Sequence, residues 1–312
     1  MHLVPPPFRC LPLRSFRRRA AGFALLAVLL LPLAGCSGGI LQPAGRIGAA
    51  DTKILFNAVE IMSAIVVPTI LGALAFAWWF RASNSRAQYQ PDFVYSGRIE
   101  IIVWSIPILV ILFLSGVIWI GSHELDPFEP IAASNKPVEV QVVSLDWKWL
   151  FIYPAEQIAS VNEVVVPAGV PVHFSLTSAT VMNAFFVPQL GSMIATMNGM
   201  LTQLYLEADH AGDFYGESAQ FSGDGFSDMH FIVHAVAADD FTQWVADVRK
   251  SGPTLDRTSY DALAQESQNT KPFTYRAIDP TLFDAVVTQK IPSSPGPNTS
   301  TAETAVRPIG GR

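Results

Sequence analysis

The hydrophobic positions of the chain follow two different patterns. Residues 54–80 and 101–120 form two nearly uninterrupted apolar runs of 27 and 20 residues. As α-helices, both runs are long enough to cross a hydrocarbon layer of roughly 30 Å. From residue 138 onward, the apolar residues occur instead in short runs rich in β-branched and aromatic side chains, separated by turn sequences. The sequence therefore predicts a two-helix hairpin followed by an all-β domain.

The region after residue 138 has the strand spacing of a sandwich. Several short strands separated by turns within about a hundred residues are typical of a β-sandwich or barrel. The predicted strands are residues 138–143, 147–153, 162–166, 172–177, 202–206, 212–215 and 230–235. The pattern after residue 238 is helical, and we expect short helices that brace one side of the sandwich. These predicted helices are residues 239–250, 260–267 and 280–290.

The amino-terminal region has the layout of a bacterial export signal. A basic stretch within the first 19 residues precedes an apolar run at residues 20–33, which leads into the sequence Leu-Ala-Gly-Cys36. A cysteine in this setting indicates a lipoprotein site. Residues 1–35 would be removed, and Cys36 would carry acyl chains, such as palmitate, that insert into the bilayer. The alternative is an incidental cysteine in an uncleaved anchor.

Charge on the two sides of the apolar runs predicts their orientation. The connection between them contains Arg81, Arg86 and Arg98, whereas residues 124–129, after the second run, contain three acids. Positive loops stay in the cytoplasm, so the β domain is expected in the periplasm of a bacterium, anchored in the inner membrane as a multi-pass lipoprotein. A buried helical hairpin of a soluble protein is the alternative interpretation of the two runs.

Composition limits the remaining possibilities. Half of the residues are hydrophobic and only 15% are charged, as expected of a membrane-anchored protein. A formal net charge of -6 argues against nucleic acid as a partner.

The last residues, rich in Pro, Ser, Gly and Thr, have too little apolar surface to fold. The predicted divisions are a signal peptide at 1–35, a lipidated segment at 36–53, the transmembrane hairpin at 54–125, the sandwich at 126–238, a helical segment at 239–290 and a disordered tail at 291–312.

Two stretches of the β domain have the spacing of a copper site without its ligands. Ser218 and Ser222 lie four residues apart, Phe226 follows four residues later and Met229 three after that, while Asn183 lies in the upstream stretch. A dinuclear copper centre of the cupredoxin type needs thiolates at the first two positions, imidazoles at Phe226 and Asn183, and a thioether at Met229. Hydroxyl, amide and phenyl groups do not replace these soft ligands. We therefore expect no metal in this chain.

The same two stretches, residues 179–188 and 216–229, resemble subunit II of the haem-copper oxidases. The pattern of substitutions resembles the quinol-oxidising branch of that family. The resemblance implies a cupredoxin-like sandwich without copper ligands, placed after a membrane hairpin and followed by short helices. It also implies that former copper-site positions are occupied by Asn183, Ser218, Gln220, Ser222, Phe226 and Met229.

The resemblance further implies a function within a complex. Such a chain is a non-catalytic subunit of a proton-translocating ubiquinol oxidase, which reduces oxygen to water in aerobic respiration. The haems, copper and quinone would belong to the partner subunit I, and small membrane subunits III and IV would complete the assembly. Two alternatives stay open: a copper-carrying cytochrome c oxidase subunit II, which requires cysteines that these positions lack, and a free-standing lipoprotein binding module.

Glu100 lies at the predicted cytoplasmic start of the second apolar run. The resemblance matches it to a subunit II glutamate at the mouth of a proton channel of the large subunit. A carboxylate at the water boundary is chemically able to accept and pass on protons. An equally weighted alternative is a solvated acid at a helix start, where the helix dipole favours a negative charge.

The sequence Asp146-Trp147-Lys148-Trp149 needs its own interpretation. In the cytochrome c-oxidising relatives, an aromatic run here lies at the docking surface and passes electrons to copper. Without copper that route has no acceptor. On a strand, Trp147 and Trp149 would share one face and Lys148 would point the other way. We therefore interpret the two tryptophans as core or interface aromatics.

Overall fold

The computed structural model describes residues 39–88, 91–133 and 135–293 of the chain. Cys36, the predicted signal peptide and residues 294–312 of the predicted tail lie outside these ranges. In chain order the α-helices are α1 (Arg46–Trp79), α2 (Gly97–Glu124), α3 (Ala238–Lys250), α4 (Arg257–Leu263) and α5 (Leu282–Val287). The strands are β1 (Val138–Leu145), β2 (Lys148–Tyr153), β3 (Ile158–Val161), β4 (Glu163–Pro167), β5 (Val172–Ser178), β6 (Asn183–Phe186), β7 (Ile194–Thr196), β8 (Thr202–Leu206), β9 (Gly212–Ser218), β10 (His230–Val236), β11 (Thr254–Leu255), β12 (Phe273–Tyr275) and β13 (Ala277–Ile278).

Helices α1 and α2 form the predicted hairpin. Both are long and apolar enough to cross a membrane, and their most apolar stretches are not buried against the rest of the chain. This outward-facing apolar surface is what a lipid-exposed span requires. The two helices approach closely at Gly121, where a Cβ atom would lie only 2.6 Å from Ile54 Cδ1.

Helix α1 begins at Arg46, eight residues before the predicted apolar run. Its first turns pack against two loops of the sandwich, where Gly48 lies against Gln189 and Leu190, and both Gly48 and Thr52 are buried. We call this contact the junction; it joins residues 44–52 to residues 187–192 and 206–209. This part of the helix was not predicted, because its side chains include several polar ones. The prediction relied on apolar runs and could not take tertiary contacts into account.

The β domain is a sandwich of two sheets. The larger sheet has the strand order β12-β3-β2-β1-β5-β8, and the second has the order β4-β10-β9-β6-β7. Within these two sheets, neighbouring strands are antiparallel except for the parallel pairs β1–β5 and β4–β10. A separate two-stranded ribbon joins β11 to β13. The predicted all-β architecture is thus confirmed. The larger sheet separates two hydrophobic clusters.

The larger sheet is covered on both faces, which explains why every residue of β2 is buried. Trp149, Phe151 and Tyr153 point into the main core between the two sheets. Leu150 and Ile152 point the other way, into a second core that α4 and α5 complete. Because successive side chains along a strand point to opposite faces of the sheet, one strand contributes to both cores. The expected bracing of the sandwich by the carboxy-terminal helices is confirmed for these two.

The seven predicted strands all form, with ends that differ by up to three residues. Six further strands of the described chain, β3, β6, β7, β11, β12 and β13, were not predicted, since they are only two to four residues long. The prediction that Trp147 lies on a strand with Trp149 was wrong. Trp147 belongs to the tight turn between β1 and β2 and has a φ of 61°. A bulky residue rarely adopts this left-handed conformation, which places the indole outside the strand alternation.

Candidate functional site

The residues predicted to occupy former copper positions lie at one end of the second sheet. Residues 218–229, which we call the site loop, leave the end of β9 and return to the start of β10. The backbone N–H of Ser218 donates to the carbonyl of Met229 (3.1 Å), which closes the loop at its base. Pairing of β6 with β9 brings Asn183 beside the base, because Phe185 is opposite Ser218 in the register. The sheet therefore assembles Asn183, Ser218 and Met229 at one place.

Ser218 is the centre of a small buried hydrogen-bond group. Its Oγ lies 3.2 Å from both Asn183 Oδ1 and the Gln220 carbonyl, and it accepts from the backbone N–H of Ala184 at 3.4 Å. Asn183 Nδ2 in turn donates to the Val181 carbonyl (3.3 Å). Ser218 and Asn183 are 4% and 1% exposed, so these bonds replace water that burial has removed.

The remaining positions interact more weakly. Ser222 Oγ donates to the sulfur of Met229 over 4.0 Å, which is a long contact for a weak acceptor. Phe226 is half-buried and packs edge-on against Phe221, with ring centroids 5.5 Å apart. The side chain of Gln220 is exposed. Only Met229 offers a soft ligand atom, and it is buried.

These residues do not fit a copper centre. Two hydroxyls and an amide have neither the softness nor the acidity of the thiolates and imidazole that such a centre requires, and a phenyl ring has no donor atom. Among the described residues, no group of three His, Cys, Asp or Glu side chains is placed to hold a metal ion. His173 and His234 instead pair with carboxylates, Glu139 at 2.6 Å and Asp213 at 2.7 Å.

Trp147 is the support on which the site loop rests, a role that the strand-based interpretation missed. The indole Nε1 donates to the carbonyl of Ser222 (3.2 Å). A Cβ atom at Gly225 would lie only 2.3 Å from Cδ2 of the same indole. Trp147 is 2% exposed and is part of the main core, so its interpretation as a core aromatic was correct. The signal that could have shown its second role is the glycine pair, Gly223 and Gly225, within the loop.

The two residues beside Trp147 connect the same turn to other parts of the chain. Asp146 accepts a bond from Thr180 Oγ1 (2.6 Å), just before β6. Burial raises the pKa of Asp146, and the Thr180 bond partly offsets this effect. Lys148 is 1% exposed, and its Nζ donates to the Gln265 carbonyl and to Ser267 Oγ, both at 2.6 Å. Burial lowers the pKa of Lys148 to about 8, against the attraction of Asp146 and Glu266.

Glu100 is far from the site loop in the fold. It lies exposed in the first turn of α2, at the end of the hairpin remote from the sandwich. Its backbone N–H donates to the Ser96 carbonyl at 3.0 Å. The structure therefore does not combine Glu100 with the former copper positions, and any role for it belongs to the membrane part of the molecule.

Comparison with known proteins decides the family. The chain is 45% identical over 272 residues to "Ubiquinol oxidase subunit 2" of Acetobacter aceti, covering 86% of this chain and 88% of that protein. It is 44% identical over 264 residues to "Cytochrome bo(3) ubiquinol oxidase subunit 2" of Pseudomonas aeruginosa, covering 85% and 80%. "Quinol oxidase subunit 2" of Bacillus cereus is 35% identical over 240 residues, covering 76% and 82%. The chain belongs to the quinol oxidase subunit 2 family.

Two family models locate this relationship within the chain. "Cytochrome C oxidase subunit II, periplasmic domain" matches residues 116–236, which include the whole sandwich up to β10. "COX Aromatic Rich Motif" matches residues 249–290, the segment that contains α4 and α5. These matches confirm the predicted subunit II resemblance and its cupredoxin-like fold. With the two apolar helices, they fit a quinol oxidase subunit 2 of the inner membrane whose β domain is periplasmic.

Proposed function

We propose that this chain is the copper-free subunit II of a proton-translocating ubiquinol oxidase, in which it anchors and supports the haem-copper catalytic subunit. One observation carries the proposal: serine, asparagine and phenylalanine side chains occupy the positions at which a copper centre would need thiolates and imidazoles. Membership of the quinol oxidase subunit 2 family supports the choice of substrate. Quinol is dissolved in the membrane and delivers electrons there, so an external copper relay is unnecessary.

The site loop is proposed to pack on subunit I. Apolar side chains are exposed at this end of the sandwich: Val181 by 36%, Met182 by 45% and Phe221 by 72%. Exposed apolar groups gathered around one loop are typical of a protein–protein contact. Subunit I would hold the haems, the copper and the quinone, and small subunits III and IV would complete the assembly within the bilayer.

We also propose the topology that the sequence suggested. Cys36 would be lipidated at the periplasmic surface, α1 would run inward and α2 would return. Glu100, in the first turn of α2, would then lie at the cytoplasmic boundary, where it would deliver protons to a channel of subunit I. Its exposed position at the end of the hairpin away from the sandwich supports this placement.

Purification of the intact complex tests the assignment. The chain is extracted from native membranes in mild detergent, its co-purifying chains are identified, and metal is measured per subunit. We expect a haem-bearing partner, oxygen uptake with ubiquinol and no oxygen uptake with reduced cytochrome c. Copper in this subunit together with cytochrome c oxidation would indicate the cytochrome c oxidase alternative. Recovery of the chain without any haem-bearing partner would indicate the free-standing binding module.

Two measurements test the proposed sites. Mass spectrometry of the mature amino terminus should find a diacylglyceryl-modified Cys36, and an unmodified Met1 would contradict lipidation.

In the complex, Glu100→Gln should lower proton translocation and turnover, because the amide cannot accept and release a proton. Unchanged turnover and pumping would leave Glu100 as a solvated helix-start acid. Glu124→Gln, at the opposite end of α2, is the matched control.

A further inference from the structure

The end of the hairpin remote from the sandwich contains a large open cavity. It lies between the last turn of α1 and the start of α2 and has a volume of about 1000 Å³. Its wall combines aromatic rings with two guanidinium groups, a combination that is absent from the other main cavities of the described chain. The residues that define it are Phe76, Trp79, Phe80, Arg81, Arg86 and Phe93.

The last carbonyl groups of α1 are already satisfied in this cavity. Arg81 Nη1 donates to the Trp78 carbonyl (2.7 Å), and its guanidinium lies 4.5 Å from the centre of the Trp78 ring. Asn84 Nδ2 donates to the Trp79 carbonyl (2.6 Å). These bonds cap the negative end of the helix, which would otherwise repel an anion.

Arg86 has a different arrangement. Its backbone N–H donates to Asn84 Oδ1 (3.2 Å), which fixes the main chain at the cavity wall. Its side chain is exposed and forms no hydrogen bond or ion pair with another residue in the described part of the chain. The nearest acids in the sequence, Asp92 and Glu100, are not part of the cavity lining. The cavity therefore carries positive charge that the described residues do not neutralise.

The position of the cavity indicates its ligand. It lies where two apolar helices end, on the opposite side of the membrane from the periplasmic sandwich, and its walls change from aromatic to cationic. Basic cavities between helices on the cytoplasmic side bind anionic lipid head groups, and aromatic rings favour the interface beside the acyl chains. We propose that this cavity binds an anionic phospholipid, with its phosphate at Arg81 and Arg86.

Native mass spectrometry of the delipidated full-length chain in neutral detergent tests this proposal. Phosphatidylglycerol is titrated into the wild type, Arg86→Gln and the double variant Arg81→Gln/Arg86→Gln. We expect one preferred lipid, bound about fivefold more weakly by the single variant and about thirtyfold more weakly by the double variant, since each arginine contributes separately. The single variant protects the test against misfolding, because the Arg86 side chain makes no structural bond in the described chain.

The matched control is Arg98→Gln, which removes an exposed arginine of the same connection that does not line the cavity. Its affinity for phosphatidylglycerol should equal that of the wild type. A loss as large as that of Arg86→Gln would show general attraction to charge and overturn the site. Equal binding of phosphatidylcholine would also overturn it. Displacement of the lipid by millimolar inorganic phosphate would reduce the cavity to a simple anion site and contradict the lipid assignment.

Discussion

The junction and the site loop lie at different ends of the sandwich and are built from different interactions. At the junction, backbone groups of two segments bond directly: Ala44 N–H to the Gln189 carbonyl (2.8 Å) and Gly48 N–H to the Leu190 carbonyl (2.9 Å). In the site loop, the contacts between former ligand positions are longer, from 3.2 Å for Ser218 and Asn183 to 4.0 Å for Ser222 and Met229.

The difference shows which part of the molecule requires close packing. At the junction, a Cβ on Gly48 would approach the Gln189 carbonyl oxygen to 2.6 Å, so only glycine fits. The site loop lacks the residue types of a metal centre; the bond from Ser218 to Met229 closes its base, and one indole supports it. We conclude that the position of the sandwich on its helices is strongly determined, whereas the site loop is held by one large side chain and a few longer hydrogen bonds at its base.

The substitution with the largest expected effect removes that support. Trp147→Ala deletes a buried indole under the site loop and should lower the free energy of unfolding of the full chain by about 3–5 kcal/mol. Thermal and denaturant unfolding in detergent measure this loss. Trp147→Phe is the control, because it keeps one aromatic ring while it loses the bond to the Ser222 carbonyl and part of the ring volume, and it should cost about 1–2 kcal/mol. Equal losses in the two variants would show that the loop does not rest on the indole.

The next test concerns the junction. Gly48→Ala introduces a methyl group against the Gln189 carbonyl, and the resulting shift should destabilise the junction by about 2 kcal/mol. Gly72→Ala is the matched control within the same helix, since its Cβ would have no neighbour within 4 Å. Unfolding of both variants is compared. If Gly48→Ala is no less stable than Gly72→Ala, the junction is not closely packed.

The turn that holds Trp147 also predicts a pH dependence. Burial lowers the pKa of Lys148 to about 8, so between about pH 8 and 10 the unfolded chain binds more protons than the folded chain. Stability should therefore rise with pH in that window, by about 2 kcal/mol. Lys148→Met should lack this rise when unfolding is measured from pH 7 to 10. Above pH 10 the effect reverses, because burial raises the pKa of Tyr153 and Tyr260.

The smallest expected effects on stability are those of substituting the two serines of the site loop, and the two losses should differ. Ser218→Ala removes a buried hydroxyl and leaves the Ala184 N–H without its acceptor, which should cost about 1 kcal/mol. Ser222→Ala removes only the long contact to the Met229 sulfur and should cost less than about 0.5 kcal/mol. Denaturant unfolding of the pair resolves the order. A larger loss for Ser222→Ala would contradict the assignment of Ser218 as the centre of the bonding group.

Several elements could be predicted because their cause is local. The hairpin follows from two apolar runs, and strands such as β1 and β4 follow from the density of β-branched residues. Strands β6 and β7 could not be predicted, because three or four residues carry too little pattern. The proximity of Ser218, Ser222 and Met229 could also be predicted, since all three belong to one loop.

The role of the turn at residues 146–148 could not be predicted in the same way. A tryptophan with a positive φ breaks the alternation on which the strand prediction relied. Lys148 was expected to point away from Trp149, but not to be buried under residues more than a hundred positions later in the chain. Both features depend on long-range contacts, which no sequence window contains.

The sequence by itself determined the class of the protein: two apolar helices, a β-rich domain and a loop with the spacing of a metal site but without its ligands. These properties depend on residue type and on short separations along the chain. Only the tertiary structure decided that α1 continues into the sandwich, that Trp147 supports the site loop and that arginines and aromatic rings share one cavity. Each of these features brings together residues from different parts of the chain. Their contacts depend on packing, and packing depends on the folded shape of the whole chain.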